Sequence, residues 1–272
     1  MAVINGVFPD APVESSCRFL QAETSTKPIM CLHVALFEIA ARRRARARNF
    51  LRSPIGRMAS VLFLASTVLQ WGCQSGPPRE AGTFRASDLV ELNRLDSTLK
   101  LDIRYANTNN FMHQPMYREA RAFLQRPAVE ALVRAHRSLA AQGYGLMIFD
   151  GYRPWSVTKL FWDAASPEER RIEFVANPKK GSRHNRGCAV DLTLYDLKTG
   201  SEVIMPSGYD EFSERAYPDY AGGPADARER RDVLRRAMEA QGFTVYKAEW
   251  WHFDYKDWTQ YRIQNISFDQ IK

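Results

Sequence analysis

The stretch Ser182-Arg183-His184-Asn185-Arg186-Gly187-Cys188-Ala189-Val190-Asp191-Leu192-Thr193-Leu194 constrains this chain more than any other. It sets an imidazole and a carboxylate seven residues apart, with a glycine between them and an alternating apolar run behind. Ala189–Tyr195 predicts a strand, being rich in apolar and β-branched residues and closed by the turn-like Asp196-Leu197-Lys198-Thr199-Gly200. Side chains alternate along a strand, so Asp191 shares a face with Ala189 and Thr193, while Cys188, Val190 and Leu192 face the other way. His184 lies in a polar loop that Gly187 can bend. Folding that loop back over the Asp191 face brings together two ligands of the kind zinc accepts. Two ligands do not hold a metal, and the segment to search for a third is Glu249-Trp250-Trp251-His252.

The length of 272 residues allows one large domain or two small ones, and the charge distribution locates the boundary. The net charge is +7, but residues 1–73 hold nine Lys/Arg against four Asp/Glu, which leaves 29 against 27 for residues 74–272. The basic excess belongs to the N-terminal leader. The remainder has no long basic run, so no nucleic-acid partner is expected. Within the leader, a short apolar stretch at Met30–Ala41 precedes the arginine-rich Arg42–Arg48, and Met58–Trp71 is an uncharged segment ending at Gly72-Cys73. A basic n-region, a short apolar h-region and a small residue before the cut predict a secretory signal, and the segment is shorter than a membrane span requires. Cysteine just after the small residue is similar to the lipobox of bacterial lipoproteins, although Leu69 sits one place early and Gln70 and Trp71 depart from that pattern.

The expected organisation follows. Residues 1–57 are a leader without its own fold or lie upstream of the true start, and 58–73 form a signal peptide with lipid attached at Cys73. Residues 74–86, containing Gly76-Pro77-Pro78, are a linker, and 87–272 form one domain. The mature protein is then exported as a periplasmic or membrane-anchored lipoprotein, and is cytoplasmic if the leader is not a signal. Of the four cysteines, Cys17, Cys31, Cys73 and Cys188, only the last falls inside the domain, so no internal disulfide can staple it. Cys188 reads as a small buried apolar residue. Its closeness to His184 leaves a fourth-ligand role open, but strand alternation points it away from Asp191.

Inside the domain, Asp88–Leu95 and Leu99–Tyr105 alternate, and the second predicts a strand. Pro127–Gln142 predicts a helix, with proline in its first turn, Val129, Leu132, Val133, His136, Leu139 and Ala140 on one stripe, and Gly143 ending it. His136 on that stripe reads as a packed histidine, and His113 lies in a loop without a partner at ligand spacing. Tyr144–Phe149 predicts a buried strand delivering Asp150-Gly151-Tyr152-Arg153-Pro154. Helices are expected over Trp155–Ala164 and Pro224–Gln241, and a hairpin of strands over Phe243–Tyr246 and Trp250–Tyr255.

Three elements carry chemistry. The first is His184 with Asp191. The second is Glu249 with His252. Positions i and i+3 of an ideal strand point to opposite faces, so these two meet one cavity only if the strand starts at or after Glu249 or bulges there. With His252 as a ligand the set is complete and one position stays open to water, for which Glu249 is the natural general base. The third is Arg153, at the end of a buried strand, where a guanidinium could stabilise an oxyanion. Each has a plainer reading. His184 could cap a loop, Asp191 could pair with an arginine, Glu249 could be a solvated edge charge, and Arg153 could be the ion-pair partner of Asp150. Trp250 and Trp251 read as core or pocket wall in either case. The coincidence of two ligand-bearing segments with a spare glutamate favours the chemical reading.

Ser182-x-His184-x-x-Gly187-x-Ala189-x-Asp191 and Glu249-x-x-His252 resemble the two signatures of the zinc D-Ala-D-Ala peptidases that share a fold with the hedgehog signalling domain. Tyr105-Ala106-x-x-x-Asn110-Phe111, Gln142–Leu146, Asp150–Pro154, Asp191–Tyr195 and Glu249–His252 resemble, more closely, the VanX-type D-alanyl-D-alanine dipeptidases, over roughly residues 88–260. The resemblance implies an α+β fold, with a small central antiparallel sheet flanked by helices and a zinc site on the sheet. It implies one Zn2+ per chain held by His184, Asp191 and His252, with Glu249 as catalytic base and acid and Arg153 as transition-state stabiliser. The substrate it implies is D-Ala-D-Ala or a related cell-wall fragment. The alternatives are a D,D-carboxypeptidase trimming peptidoglycan stem peptides, or a non-catalytic zinc-stabilised binding module. Glu249 and Arg153 together speak against the last, because a structural zinc needs neither.

Overall fold

Short apolar segments build the sheet that positions everything else. In a computed structural model describing residues 76–171 and 174–272, the leader, the signal-like segment and Cys73 lie outside the described residues. Strands β2 (Lys100–Leu101), β4 (Tyr144–Asp150), β5 (Ala189–Asp196), β7 (Glu249–Tyr255) and β6 (Phe243–Tyr246) form a five-stranded sheet in that order. The β2–β4 pair is parallel and the other neighbours are antiparallel, so the expected antiparallel sheet acquires one parallel edge. A separate two-stranded ladder joins β1 (Leu89–Glu91) to β3 (Phe123–Gln125).

The helices are α1 (Leu92–Leu95), α2 (Arg126–Leu139), α3 (Trp155–Ala164), α4 (Pro167–Arg171) and α5 (Ala225–Glu239). Of the stripe expected on α2, Val129, Leu132, Val133, His136 and Leu139 are buried, while Ala140 falls past the helix end and is exposed. It packs against α5 and β4, while α5 also meets β5, β6 and β7. Each large aliphatic side chain removed from water there contributes about 1.5–3 kcal/mol. The helix tightens into a 3-10 turn over Ala140–Gln142 and ends at Gly143, whose φ of 81° is the left-handed geometry that glycine takes without a Cβ penalty.

Three expectations change. Leu99–Tyr105 alternates, yet only Lys100 and Leu101 pair with a strand, and Arg104–Ala106 winds into a 3-10 turn. Alternation marks a strand only where a neighbour supplies a ladder, and β4 supplies this edge only briefly. Asp88–Leu95 likewise splits into β1 and α1. The segment read as a linker is docked from Glu80 onward. The Glu80 carboxylate pairs with buried Arg186 and accepts the Ile263 N–H at 2.7 Å, and the Arg85 guanidinium meets Asp257 at 3.0 Å. Among the described residues no helix is long and apolar enough to cross a membrane.

Candidate active site

Strand register sets the site. The Cα partner of Asp191 on β4 is Asp150 and on β7 is His252, so one row across three strands carries two carboxylates and an imidazole. The fourth member, His184, opens the 3-10 turn His184–Arg186 that leads into β5. Gly187 ends that turn at φ 67°, the left-handed geometry that glycine takes without a Cβ penalty, and a Cβ there would also stand 2.5 Å from Leu89 Cδ2 and displace it. Glu249 and His252 do face one cavity. The strand starts at Glu249, and the β6–β7 register shifts between Val245 and Tyr246, as the i, i+3 spacing required.

The hydrogen bonds assign the tautomers. His184 Nδ1 lies 2.8 Å from the Gly151 carbonyl, which can only accept, so Nδ1 carries the proton and Nε2 a lone pair. His252 Nε2 lies 3.0 Å from Asp254 Oδ1, which leaves the lone pair on Nδ1. The two lone-pair nitrogens are 3.1 Å apart, and they stand 3.4 Å (His184) and 3.0 Å (His252) from Asp191 Oδ1. That oxygen is buried and has no hydrogen-bond donor. With both rings neutral, three acceptors converge with no proton between them. Tetrahedral zinc with bonds of about 2.0–2.1 Å has donor–donor edges of roughly 3.3 Å, so the set fits such an ion. His184, Asp191 and His252 thus form a group able to hold a metal.

The surroundings are fixed as tightly. Asp191 Oδ2 accepts from the Tyr209 hydroxyl at 3.0 Å. Burial works against its charge, so an ionised Asp191 carboxyl needs positive charge on the His184–His252 side, and with that charge in place it is held well below the usual carboxylate range. Glu249 Oε2 lies 3.7 Å from His252 Nδ1, and burial pushes its carboxyl up to about 7, with Asp191 adding to the rise and His252 opposing it. The Arg153 Nε and Nη2 both donate to Asp150 Oδ2, at 2.9 and 2.6 Å, while the Tyr117 hydroxyl donates to Asp150 Oδ1. Arg153 Nη2 is also 3.8 Å from Asp191 Oδ2. Arg153 is therefore both the ion-pair partner of Asp150 and a member of the site. All five expected site residues line one pocket of about 770 Å3.

The remaining candidates separate cleanly. His136 is packed, accepting the Leu146 N–H on Nδ1 at 3.0 Å with Nε2 2.9 Å from Thr98 Oγ1. His113 is exposed in its loop. Cys188 is buried on the far face, and burial pushes its thiol up to about 12. Two acids in the pocket, Asp254 and Asp210, were missed. Asp254 could have been found, because a position two residues after His252 shares its strand face. Asp210 gives no periodic signal, since it sits in a loop at φ 57°. Its carboxylate accepts from the Tyr105 hydroxyl at 3.1 Å, and burial, then Asp191 and Glu249, push it well above its usual range.

The peptidase M15 family model, described as D-ala-D-ala dipeptidase, matches residues 85–271. The D-alanyl-D-alanine dipeptidase of Enterococcus faecalis (strain ATCC 700802 / V583) is 39% identical over 173 residues, covering 57% of this chain and 85% of its own length. That of Enterococcus faecium is 35% identical over 182 residues, or 61% and 90%. That of Escherichia coli (strain K12) is 32% identical over 168 residues, or 62% and 84%.

Proposed function

This chain belongs to the family of D-ala-D-ala dipeptidases, and from that premise we propose that it is a zinc metallopeptidase hydrolysing D-Ala-D-Ala to two D-alanines in cell-wall metabolism. The observation that carries the reading is the convergence of three donor atoms within 3.0–3.4 Å, beside a half-buried glutamate. His184, Asp191 and His252 would hold zinc, which would supply Lewis-acid polarisation and lower the pKa of water toward neutrality. Glu249 takes the proton of the attacking water and returns it to the leaving amine. A carboxyl raised to about 7 suits both directions of transfer at neutral pH. Arg153 is locked through Nε and Nη2 on Asp150, which leaves Nη1, without a partner among the described residues, to stabilise the developing oxyanion.

Asp210 supports a dipeptide rather than a stem peptide. A half-buried carboxyl lining the pocket is matched by the free ammonium group of a short substrate, which would also keep it ionised. The pocket volume favours the second reading, a D,D-carboxypeptidase, because about 770 Å3 exceeds what two alanines fill. Purified protein with zinc, assayed on D-Ala-D-Ala, L-Ala-L-Ala and a stem peptide ending in D-Ala-D-Ala, separates them. Cleavage of the stem peptide alone would replace the dipeptidase reading, and cleavage of none would remove both.

We also propose that the protein is exported and carries lipid on Cys73. Support comes from the basic segment, the uncharged Met58–Trp71 and the Gly72-Cys73 junction. Several acyl chains on one residue would anchor it stably, where one chain is marginal. Cell fractionation with intact-mass measurement decides the matter. A soluble cytoplasmic protein retaining Met58–Trp71 refutes export and leaves the zinc chemistry untouched.

A further inference from the structure

The carboxyl end of a peptide substrate has no partner in the reading above, and Arg183 offers one. This residue directly precedes the ligand His184. Its main chain is fixed by its carbonyl, which accepts the N–H of Arg186 at 3.1 Å and of Cys188 at 3.2 Å. From that anchored point the side chain lines the same pocket. Its guanidinium carbon lies 4.8 Å from the centroid of the Trp258 ring, and Nη1 lies 3.2 Å from Asp254 Oδ2. The side chain remains 39% exposed. Asp254 does not consume the whole charge, because its other oxygen engages His252 Nε2 at 3.0 Å. A guanidinium has a fork of N–H donors suited to a second carboxylate.

Position and charge favour an anionic ligand there. His252 separates two sides of the pocket: its Nδ1 faces Asp191, and its Nε2 faces Asp254 with Arg183 behind. The acids Asp191, Asp210 and Glu249 interact with one another. Lys180, three residues before Arg183 on the same loop, also lines the pocket, and its ammonium has no acidic partner among the described residues. Stacking on Trp258 and pairing with Asp254 hold the guanidinium in place, so little ordering remains to be done on binding.

We propose that Arg183, assisted by Lys180, is a carboxylate subsite that holds the leaving-group end of the substrate, an inference that rests on the peptidase reading. The carboxylate is the α-carboxylate of a dipeptide or that of a peptide one residue longer, and the same guanidinium reads either. The test compares the zinc-loaded full-length chain with its Arg183→Ala and Arg183→Lys variants on D-Ala-D-Ala, its C-terminal amide and D-Ala-D-Ala-D-Ala. Loss of a charged hydrogen bond should raise KM for the acid substrate roughly 10- to 100-fold, by more than kcat falls, with the amide little changed and lysine restoring part of the loss. The acid substrate that loses most identifies the carboxylate held. An arginine that merely braces Asp254 predicts equal losses on acid and amide together with lowered zinc content, and that result overturns the subsite. Arg183→Gln replaces the alanine variant if the latter does not fold. If the wild type cleaves none of the substrates, the peptidase reading falls and binding alone judges the subsite. Calorimetry with N-acetyl-D-alanine and its methylamide then supports it if the acid binds selectively and Arg183→Ala abolishes that selectivity. Equal binding of acid and methylamide overturns it.

Discussion

His136 on α2 and the pair His184–His252 beside β5 and β7 are all buried, yet the hydrogen bonds around them run in opposite senses. At His136 both nitrogens are matched, Nδ1 accepting from Leu146 N–H and Nε2 meeting the Thr98 hydroxyl, which in turn reaches Asp96. At the pair, the outward nitrogens are committed to Gly151 and Asp254, and the inward lone pairs face each other and the orphaned Asp191 Oδ1. Burial therefore does not distinguish a structural histidine from a ligand. The distinguishing feature is an acceptor facing other acceptors, an arrangement that repels unless a cation sits among them.

The strongest way to break the comparison is to delete one imidazole from each region. His184→Ala and His252→Ala should each lose bound zinc and all measurable turnover, because three protein ligands leave no redundancy. His136→Ala should keep both zinc and turnover, losing only about 1–3 kcal/mol of stability through the unmatched Leu146 N–H. Metal analysis with thermal melting reads the two outcomes, and full zinc in His184→Ala sinks the assignment. Next in size is Glu249→Gln, which should retain zinc and lower kcat by roughly 10²- to 10⁴-fold, the usual worth of a positioned base. Stripped metal in that variant would make Glu249 a ligand instead.

A smaller effect tests the outward hydrogen bonds. Asp254→Ala removes the acceptor that fixes the His252 tautomer, so zinc affinity measured by chelator competition should fall about 10- to 100-fold. Unchanged affinity would mean that His252 is oriented by packing alone. The smallest effect belongs to His136. Burial lowers its pKa from the ordinary value, Arg137 adds to the lowering and Asp96 opposes it. Its unfolded form then binds a proton more readily than its folded form, so stability is present at neutral pH and drains away as pH falls below about 6.5. Denaturant melts of wild type and His136→Gln across pH 5–8 should differ in that slope, and identical slopes would show that another group controls it.

Much of the site was legible because its signals are local. The His184–Gly187–Asp191 spacing, the apolar β5 and the Glu249–His252 pair each depend on residues close in sequence, and all five expected side chains do line one pocket. The stripe on α2 likewise separates His136 from the candidate ligands on local pattern alone. The failures share a cause. Leu99–Tyr105 carries strand alternation but lacks a neighbour for most of its length, and no local pattern records who the neighbour is. Asp210 enters the pocket from an irregular loop whose path is set by Tyr105 and Phe111, about a hundred residues upstream.

By itself the sequence determined which residues are chemically able to act: two imidazoles, a carboxylate at strand spacing, a spare glutamate and an arginine closing a buried strand. Periodicity and residue type suffice for that, since each is a property of a few neighbouring positions. Only the tertiary structure decided which atoms meet. The register that aligns Asp150, Asp191 and His252 across three strands brings the Asp191 carboxylate against the imidazoles. The Gly151 carbonyl and Asp254 choose the tautomers, and the loop bearing Arg183 is pinned beside Trp258. Such choices depend on long-range pairing, where a shift of one residue would turn every side chain to the opposite face.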